Sequence, residues 1–334
     1  MAAAREHQQQ YDRSRRPINP HIETSAFGRK YYDYSTRSIR IFRVLSSGIG
    51  HSVFRTYGSL TPWFRRFTNV RTKQTSSERI KIDRECALVT GATSGIGWAT
   101  ACALAKRGAV VGLLGRRREK AEELAAILRE GGGEGIPLLA DIGEPRQVEA
   151  AVAKLVAITG RLDTVVASAG MAFEGSVMDI TEEQWSRLMR VNLDGVFYTA
   201  RFTMPHLLKS KGTFTAISSD AGVQGAPGYA AYCASKHGVV GFVRTLALDH
   251  GPQGVRSNII CPGMVETPMS DDAMARYSEA ERAFYRSNVP LGRFGKPHEV
   301  AKAILHLTSA DASYSNGMVY SIDGGSTAGY FFSN

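Results

Sequence analysis

Cysteine is scarce. The 334 residues hold four, Cys86, Cys102, Cys233 and Cys261, and no two lie close enough for a Cys-x-x-Cys. That excludes a disulfide-dense scaffold and a paired-thiolate metal site. Each thiol sits among apolar or small residues, so buried free thiols and a reducing, cytoplasmic setting are expected. Long hydrophobic runs are missing as well. No stretch approaches the roughly 20 apolar residues that cross a bilayer, and the N-terminus lacks the apolar segment of a secretory signal. No His/Cys/Asp cluster has metal-ligand spacing, so no metal is expected. Charge of one sign is also missing from most of the chain. Residues 1–80 hold 13 Arg, 2 Lys and 5 acids, a net of +10, and the whole chain is also +10 from 41 basic and 31 acidic residues. Residues 81–334 therefore balance at 26 of each sign. The basic character belongs to the N-terminal extension alone, which argues against a nucleic-acid-binding surface.

What is present divides at about residue 80. Residues 1–80 carry Gln8-Gln9-Gln10, many Arg and Ser, and scattered aromatics without a sustained period. Such a stretch is expected to be largely disordered. Three readings stay open: an Arg- and Ser-rich transit peptide, a basic arm anchored by Phe42, Phe54, Trp63, Phe64 and Phe67, or an extension without function. Five acids and the early Pro17 and Pro20 weigh against the first two.

From residue 81 the pattern is regular. Short apolar runs at 86–90, 109–114, 136–139, 163–167, 213–217, 255–260 and 317–321 predict seven strands. Helical periods lie between them, at 95–107, 117–130 and 146–158 among others; the second has Leu124, Ile127 and Leu128 at helical spacing. Apolar strands alternating with helices predict an α/β domain, a doubly wound parallel sheet of Rossmann type with helices on both faces. No composition shift marks a second domain after residue 81.

The turn Thr90-Gly91-Ala92-Thr93-Ser94-Gly95-Ile96-Gly97 falls between the first strand and the first helix. Glycines there let the backbone approach a pyrophosphate, and the helix N-terminus offers free N–H groups to it. Context is what carries the reading. Ser47-Gly48-Ile49-Gly50 has the same four letters as Ser94–Gly97, but no helical pattern follows it, and Gly58 and Pro62 soon break the chain. Farther on, Tyr232 and Lys236 lie four apart in the helix-like run AAYCASKHGVVGFVRTLALDH, hence on one face. An ammonium ~4 Å from a phenol is worth up to about 4 kcal/mol at an effective dielectric of about 20. That would bring a tyrosine from near 10 toward about 7, where it can exchange a proton efficiently. Tyr229 lies in the same neighbourhood with no such role, and His237 is expected to point off this face.

The spacing Thr-Gly-x-x-x-Gly-Ile-Gly, followed about 140 residues on by Tyr232-Cys-Ala-Ser-Lys236, resembles the short-chain dehydrogenase/reductase family over residues 81 to about 325. Within it the chain looks most like 3-oxoacyl-type ketoreductases, notably in YCASKHGVVGF and CPGMVETPM. The resemblance implies that Gly91, Ser94, Gly95, Ile96 and Gly97 line the cofactor pyrophosphate. It implies Asp141 and Ile142 at the adenine, although Asp141 reads equally well as a strand-end cap. Ala169 and Gly170 follow the fourth strand, where the family usually has Asn-Asn-Ala-Gly and this chain has Ala167-Ser168-Ala169-Gly170. Ser168 is expected to do part of the bracing that the missing amide would do. Pro262, Gly263, Val265 and Thr267 would bind the cofactor, Val265 and Thr267 at its nicotinamide carboxamide and phosphate. Ser219 would hydrogen-bond the substrate oxygen, Tyr232 and Lys236 would serve catalysis and cofactor binding together, and Asn192 would hold a water in a relay to the lysine. Ser218 and Asp323-Gly324-Gly325 read as structural. Residues 264–289, with Met264, Met269, Met274, Tyr277, Phe284 and Tyr285, read as an apolar lid or as a helix pair packed on the core.

Where a carboxylate would select NAD at the end of the second strand, the chain has Gly115, followed by Arg116, Arg117 and Arg118. Three Arg at a helix start oppose its dipole unless a phosphate is bound. NADP(H) is therefore favoured over NAD(H). The expected activity is reversible hydride transfer between this cofactor and a small-molecule ketone or secondary alcohol. The alternatives are an NAD-linked dehydrogenase of a sugar or cyclic alcohol, and a non-catalytic nucleotide-binding regulator. The resemblance also implies a homotetramer or homodimer paired through helices near 191–210 and 230–249.

Overall fold

Seven short segments, most of them largely apolar, become the strands of one sheet. The computed structural model describes residues 85–331; the expectations for residues 1–80, and the second glycine motif at 47–50, lie outside them. The strands are β1 (Cys86–Thr90), β2 (Val110–Gly115), β3 (Glu134–Leu139), β4 (Thr164–Ala167), β5 (Thr213–Ile217), β6 (Arg256–Pro262) and β7 (Val319–Ile322). All neighbours pair in parallel, in the order β3-β2-β1-β4-β5-β6-β7. The alternation of side chains along each strand divides the core in two. Cys86, Leu88, Phe214 and Ile259 enter one cluster and Ala87, Val89, Leu113 and Ile260 the other.

The first cluster is covered by α3 (Pro145–Thr159), α5 (Gly195–Ser210) and α6 (Ala230–His250), which bring Leu155, Leu207 and Val243. The second is covered by α1 (Gly95–Lys106), α2 (Arg118–Glu130) and α9 (Pro297–Thr308), which bring Leu104, Leu124 and Ile304. A fully buried Leu of this kind contributes roughly 1.5–3 kcal/mol by leaving water. The layers are thus helix, sheet, helix, as the alternating pattern predicts. The short α4 (Glu182–Met189) runs into a π turn, Arg190–Asp194, which leads into α5. Two further short helices, α7 (Pro268–Met274) and α8 (Glu279–Ser287), follow β6.

Strand order reverses direction beside β1. From β1 the chain moves outward to β2 and β3, then returns to β4 on the other side of β1. Loops leaving the carboxyl ends of β1 and β4 therefore diverge and open a crevice between them. Thr90, the last residue of β1, ties the two ends together. Its Oγ1 accepts from the amides of Ser168 and Ala169, each at 3.1 Å. This corrects the expectation for Ser168: the bracing comes from the Thr90 hydroxyl, and Ser168 takes part through its backbone.

Candidate active site

The crevice is a cleft of about 610 Å³. One wall is the turn after β1. Gly91 and Gly95 adopt φ of +67° and +54°, left-handed values that favour glycine. A Cβ on Gly97 would lie 2.3 Å from the Gly91 carbonyl oxygen, so only glycine lets α1 begin this close to β1. The helical ladder begins with the Trp98 amide donating to the Ser94 carbonyl. The amides of Gly95, Ile96 and Gly97 precede it and lie outside the ladder. Ser94, Gly95, Ile96 and Gly97 all line the cleft. A bare backbone with free amides at a helix N-terminus is a fit for a dinucleotide pyrophosphate.

At the far end of that wall, Arg116 and Arg117 line the cleft beside Gly115, Asp141 and Ile142. Arg117 donates to the Thr93 carbonyl and hydroxyl at 3.1 and 3.0 Å, which pins its guanidinium over the glycine turn. Arg116 stands 3.6 Å from Asp141. Asp141 also accepts from the Gly143 amide at 2.9 Å, so the strand-end cap weighed for it is present. Arg118 turns away to pair with Glu122 along α2.

Ala169 and Gly170 line the floor, and Pro262, Gly263, Val265 and Thr267 line the side nearest β6. Thr267 caps α7 through its hydroxyl. A Cβ on Gly95 would meet the Thr267 methyl at 3.1 Å, so this loop closes directly over the glycine turn. Neither α7 nor α8 buries a side chain, although Met264, Met269, Met274 and Tyr285 line the cleft. Of the two readings of residues 264–289, a cover over the cleft matches this arrangement and a pair packed into the core does not. Tyr277 and Phe284 are the exceptions, outside the cleft lining, Phe284 being 64% exposed.

Ser219, Tyr232 and Lys236 line the opposite wall. Ser219 follows β5 and caps the 3₁₀ turn Asp220–Gly222, while Tyr232 and Lys236 share one face of α6. Ser218 is structural as expected, donating to the Lys236 carbonyl at 2.9 Å. The lysine ammonium donates to the Ile217 carbonyl at 2.9 Å and sits 5.6 Å from the centre of the Tyr232 ring. Asn192 is the third residue of the π turn and fully buried. Its side chain accepts from the Met171 amide and donates to the Met171 carbonyl and the Ser235 hydroxyl. It fastens the loop after β4 to α6, next to the lysine. His237 faces outward, as expected, against the Cys233 carbonyl.

The electrostatics correct one expectation. Tyr232 is not brought toward neutrality: burial pushes its phenol up to about 12, with the Ser219 hydroxyl acting the other way. Burial lowers Lys236 to about 8. Spacing put the pair together, but both groups lose water in the cleft wall, and desolvation outweighs their attraction. By the pH at which such a phenol ionises, the lysine is already neutral. The pair has an ammonium beside a protonated phenol only below about 8.

Four contributors escaped the sequence reading. Thr90 is the brace described above. Tyr229 lines the cleft, its ring edge-on to Tyr232 at 6.2 Å between centres. Glu174 accepts from the Tyr277 hydroxyl at 2.7 Å and pairs with Arg276 at 3.6 Å, joining the α7–α8 segment to the loop after β4. Asp220 accepts from the Ser219 hydroxyl at 2.7 Å. Only Asp220 had a visible signal, a carboxylate next to a serine at a strand end.

Known proteins place this architecture in a family. A family model described as enoyl-(acyl carrier protein) reductase matches residues 91–327. Meso-2,3-butanediol dehydrogenase of Serratia marcescens is 35% identical over 75% of this chain and 97% of its own length. A 3-oxoacyl-(acyl-carrier-protein) reductase of Thermotoga maritima is 36% identical over 74% of this chain and 99% of its own. The crystal structure of levodione reductase superposes with a TM-score of 0.72 at 32% identity, covering 74% of this chain and 98% of that one. With its parallel sheet, glycine turn and Tyr-x-x-x-Lys helix, the chain belongs to the short-chain dehydrogenase/reductase family, and it is an NAD(P)(H)-binding oxidoreductase acting on CH–OH groups.

Proposed function

We propose that the protein is an NADP(H)-dependent ketoreductase of the 3-oxoacyl type, working reversibly on a ketone and its secondary alcohol. One observation carries this reading: Ser219, Tyr232 and Lys236 line the same cleft as the glycine turn. Gly91, Ser94, Gly95, Ile96 and Gly97 would hold the pyrophosphate, Asp141 and Ile142 the adenine end, and Ala169, Gly170, Pro262, Gly263, Val265 and Thr267 the nicotinamide end. A bound nicotinamide supplies or accepts the hydride. The residues manage the proton and the charge. Tyr232 gives a proton to the substrate oxygen in reduction and removes it in oxidation. The Ser219 hydroxyl stabilises charge developing on that oxygen. Lys236, held by the Ile217 carbonyl, keeps positive charge beside the phenol, and Asn192 fixes the loop that faces the lysine.

Arg116 and Arg117 support the choice of the phosphorylated cofactor, since a guanidinium recognises a phosphate well and no carboxylate stands at Gly115. A substitution at Gly115 is a poor probe of that choice, because its Cβ would sit 2.7 Å from the Thr93 methyl. The 3-oxoacyl reductase relative supports the substrate class. The butanediol dehydrogenase relative favours a second reading, a dehydrogenase of a small secondary alcohol. A catalytic trio lining one cleft speaks against a non-catalytic regulator. Phe197 on α5 and Leu248 on α6, 42% and 77% exposed, support pairing of subunits through those helices. The four free thiols support a reducing, cytoplasmic setting.

Tyr232→Phe tests the mechanism. Its kcat should fall by about 10²–10⁴-fold, the usual worth of a positioned proton donor, while cofactor Kd stays unchanged. The wild-type protein, assayed on a panel of 3-oxoacyl thioesters and small diols, should prefer NADPH and the thioesters. Equal kcat/KM with NADH, or a preference for diols, would turn the assignment to the second reading.

A further inference from the structure

The catalytic wall holds a carboxyl group that the proposed reaction does not use. Asp220 directly follows Ser219 and lines the cleft. The Ser219 hydroxyl donates to Asp220 Oδ1 at 2.7 Å. The Ala221 amide is shared between that oxygen, at 2.7 Å, and Ser219 Oγ, at 3.2 Å. A serine hydroxyl has one proton to donate. Here Asp220 Oδ1 takes it, in competition with the Tyr232 phenol, whereas stabilising the substrate oxygen requires it on the other side. A carboxylate holds such a proton more tightly than a neutral acid does.

We propose that Asp220 is a positioning residue that governs the Ser219 proton: as the neutral acid it releases that proton to the substrate oxygen, and as the carboxylate it withholds it. The inference rests on the catalytic reading of Ser219 given above. The surroundings agree with it. Burial raises the pKa of Asp220, the Ser219 hydroxyl and the Ala221 amide act against it, and Asp323, in the loop after β7, repels its charge. Tyr232 from α6 and Cys261 from β6 also face it, and a charged Asp220 opposes ionisation of both. Lys236 donates to the Ile217 carbonyl rather than to Asp220. The carboxyl therefore lies among groups that disfavour its charge, so its neutral form persists to higher pH than that of a free carboxyl. The effect is on hydrogen-bond direction alone; no bond to the substrate forms or breaks at Asp220.

The test compares kcat/KM for ketone reduction in the wild type and Asp220→Asn from about pH 5 to about pH 10, in the native and the Ser219→Ala backgrounds. Asn keeps the shape and an acceptor but removes the charge. The ratio of variant to wild type should rise from near one at the acid end to about tenfold at the alkaline end, the factor separating a charged from a neutral acceptor. In the Ser219→Ala background the ratio should stay flat. A ratio that ignores pH overturns the proposal, and so does a rise that survives undiminished without Ser219. Asp220→Ala, which removes the acceptor altogether, should give the same trend, and melting curves identify any variant that is merely misfolded. Full activity in Ser219→Ala alone would instead overturn the catalytic reading, a result that does not involve Asp220.

Discussion

The two sides of the cleft are made of different things. The β1–α1 side is made of backbone: Gly91, Gly95 and Gly97 place amides where side chains would block them. The cover formed by residues 264–289 is made of side chains, with Met264, Met269, Met274 and Tyr285 turned toward the cleft and no helix residue buried. Backbone sites are stiff and intolerant, because a Cβ in the wrong place moves main chain. Side-chain surfaces are adaptable, because methionine reshapes at little cost. The difference suits the proposed division, in which the backbone side would hold the cofactor and the cover would meet the substrate.

Three substitutions would break or sharpen that contrast. Gly97→Ala should have the largest effect. Its Cβ would meet the Gly91 carbonyl at 2.3 Å, so the turn has to open. We expect cofactor affinity to fall by more than about 100-fold and stability by about 1–3 kcal/mol, the usual cost of overpacking. Fluorescence titration of the cofactor and thermal melts measure both; unchanged affinity would show that the turn is more pliable than its geometry indicates.

Lys236→Met should come second, with an effect on stability opposite in sign to its effect on catalysis. Burial lowers the lysine from 10.5 to about 8, so the unfolded chain binds its proton more readily than the folded one. Below about 8 both states are protonated and the penalty is complete, about 3 kcal/mol by linkage before the Ile217 hydrogen bond offsets part of it. The penalty fades as pH rises from about 8 through the unfolded value. The methionine variant should therefore melt roughly 5 °C higher at about pH 7, with the gain shrinking toward about pH 10, while losing activity. A lower melting temperature at about pH 7 would mean that the hydrogen bond outweighs desolvation.

Met269→Ala should matter least. Met269 lines the cleft and is 44% exposed. Its loss should change KM for the substrate by only a few-fold and stability by no more than about 0.5 kcal/mol. A large drop in stability would make the cover part of the core after all.

These contrasts also explain what could be read from the chain without coordinates. Strand β5 matches the expected 213–217 at both ends, because an apolar run buried on both faces has sharp limits. Strand β3 begins at Glu134, two residues before the expected start, because an edge strand tolerates polar residues that blur the pattern. The glycine turn and the Tyr232–Lys236 face were legible, since both follow from backbone sterics and helical spacing. The energetics of that pair were not. Its sign depends on how much water each group loses, which is a property of the assembled cleft. The adjacency of Ser219 and Asp220 was visible but their contact was not, because adjacent side chains meet only in particular rotamers. Thr90 looked like any strand residue until β4 was placed beside it.

The caps of the two cover helices have a further consequence. Thr267 and Ser278 each close a reciprocal capping box, with Ser270 and Glu281. Each helix start is thus fixed by its own first turn, whichever side chains its inner face carries. Residues on that face can be exchanged without dismantling the element that carries them. The segment is in effect an interchangeable cartridge, and new substrates could be accommodated by rewriting Met269 or Met274 while the hydride-transfer machinery stays as it is.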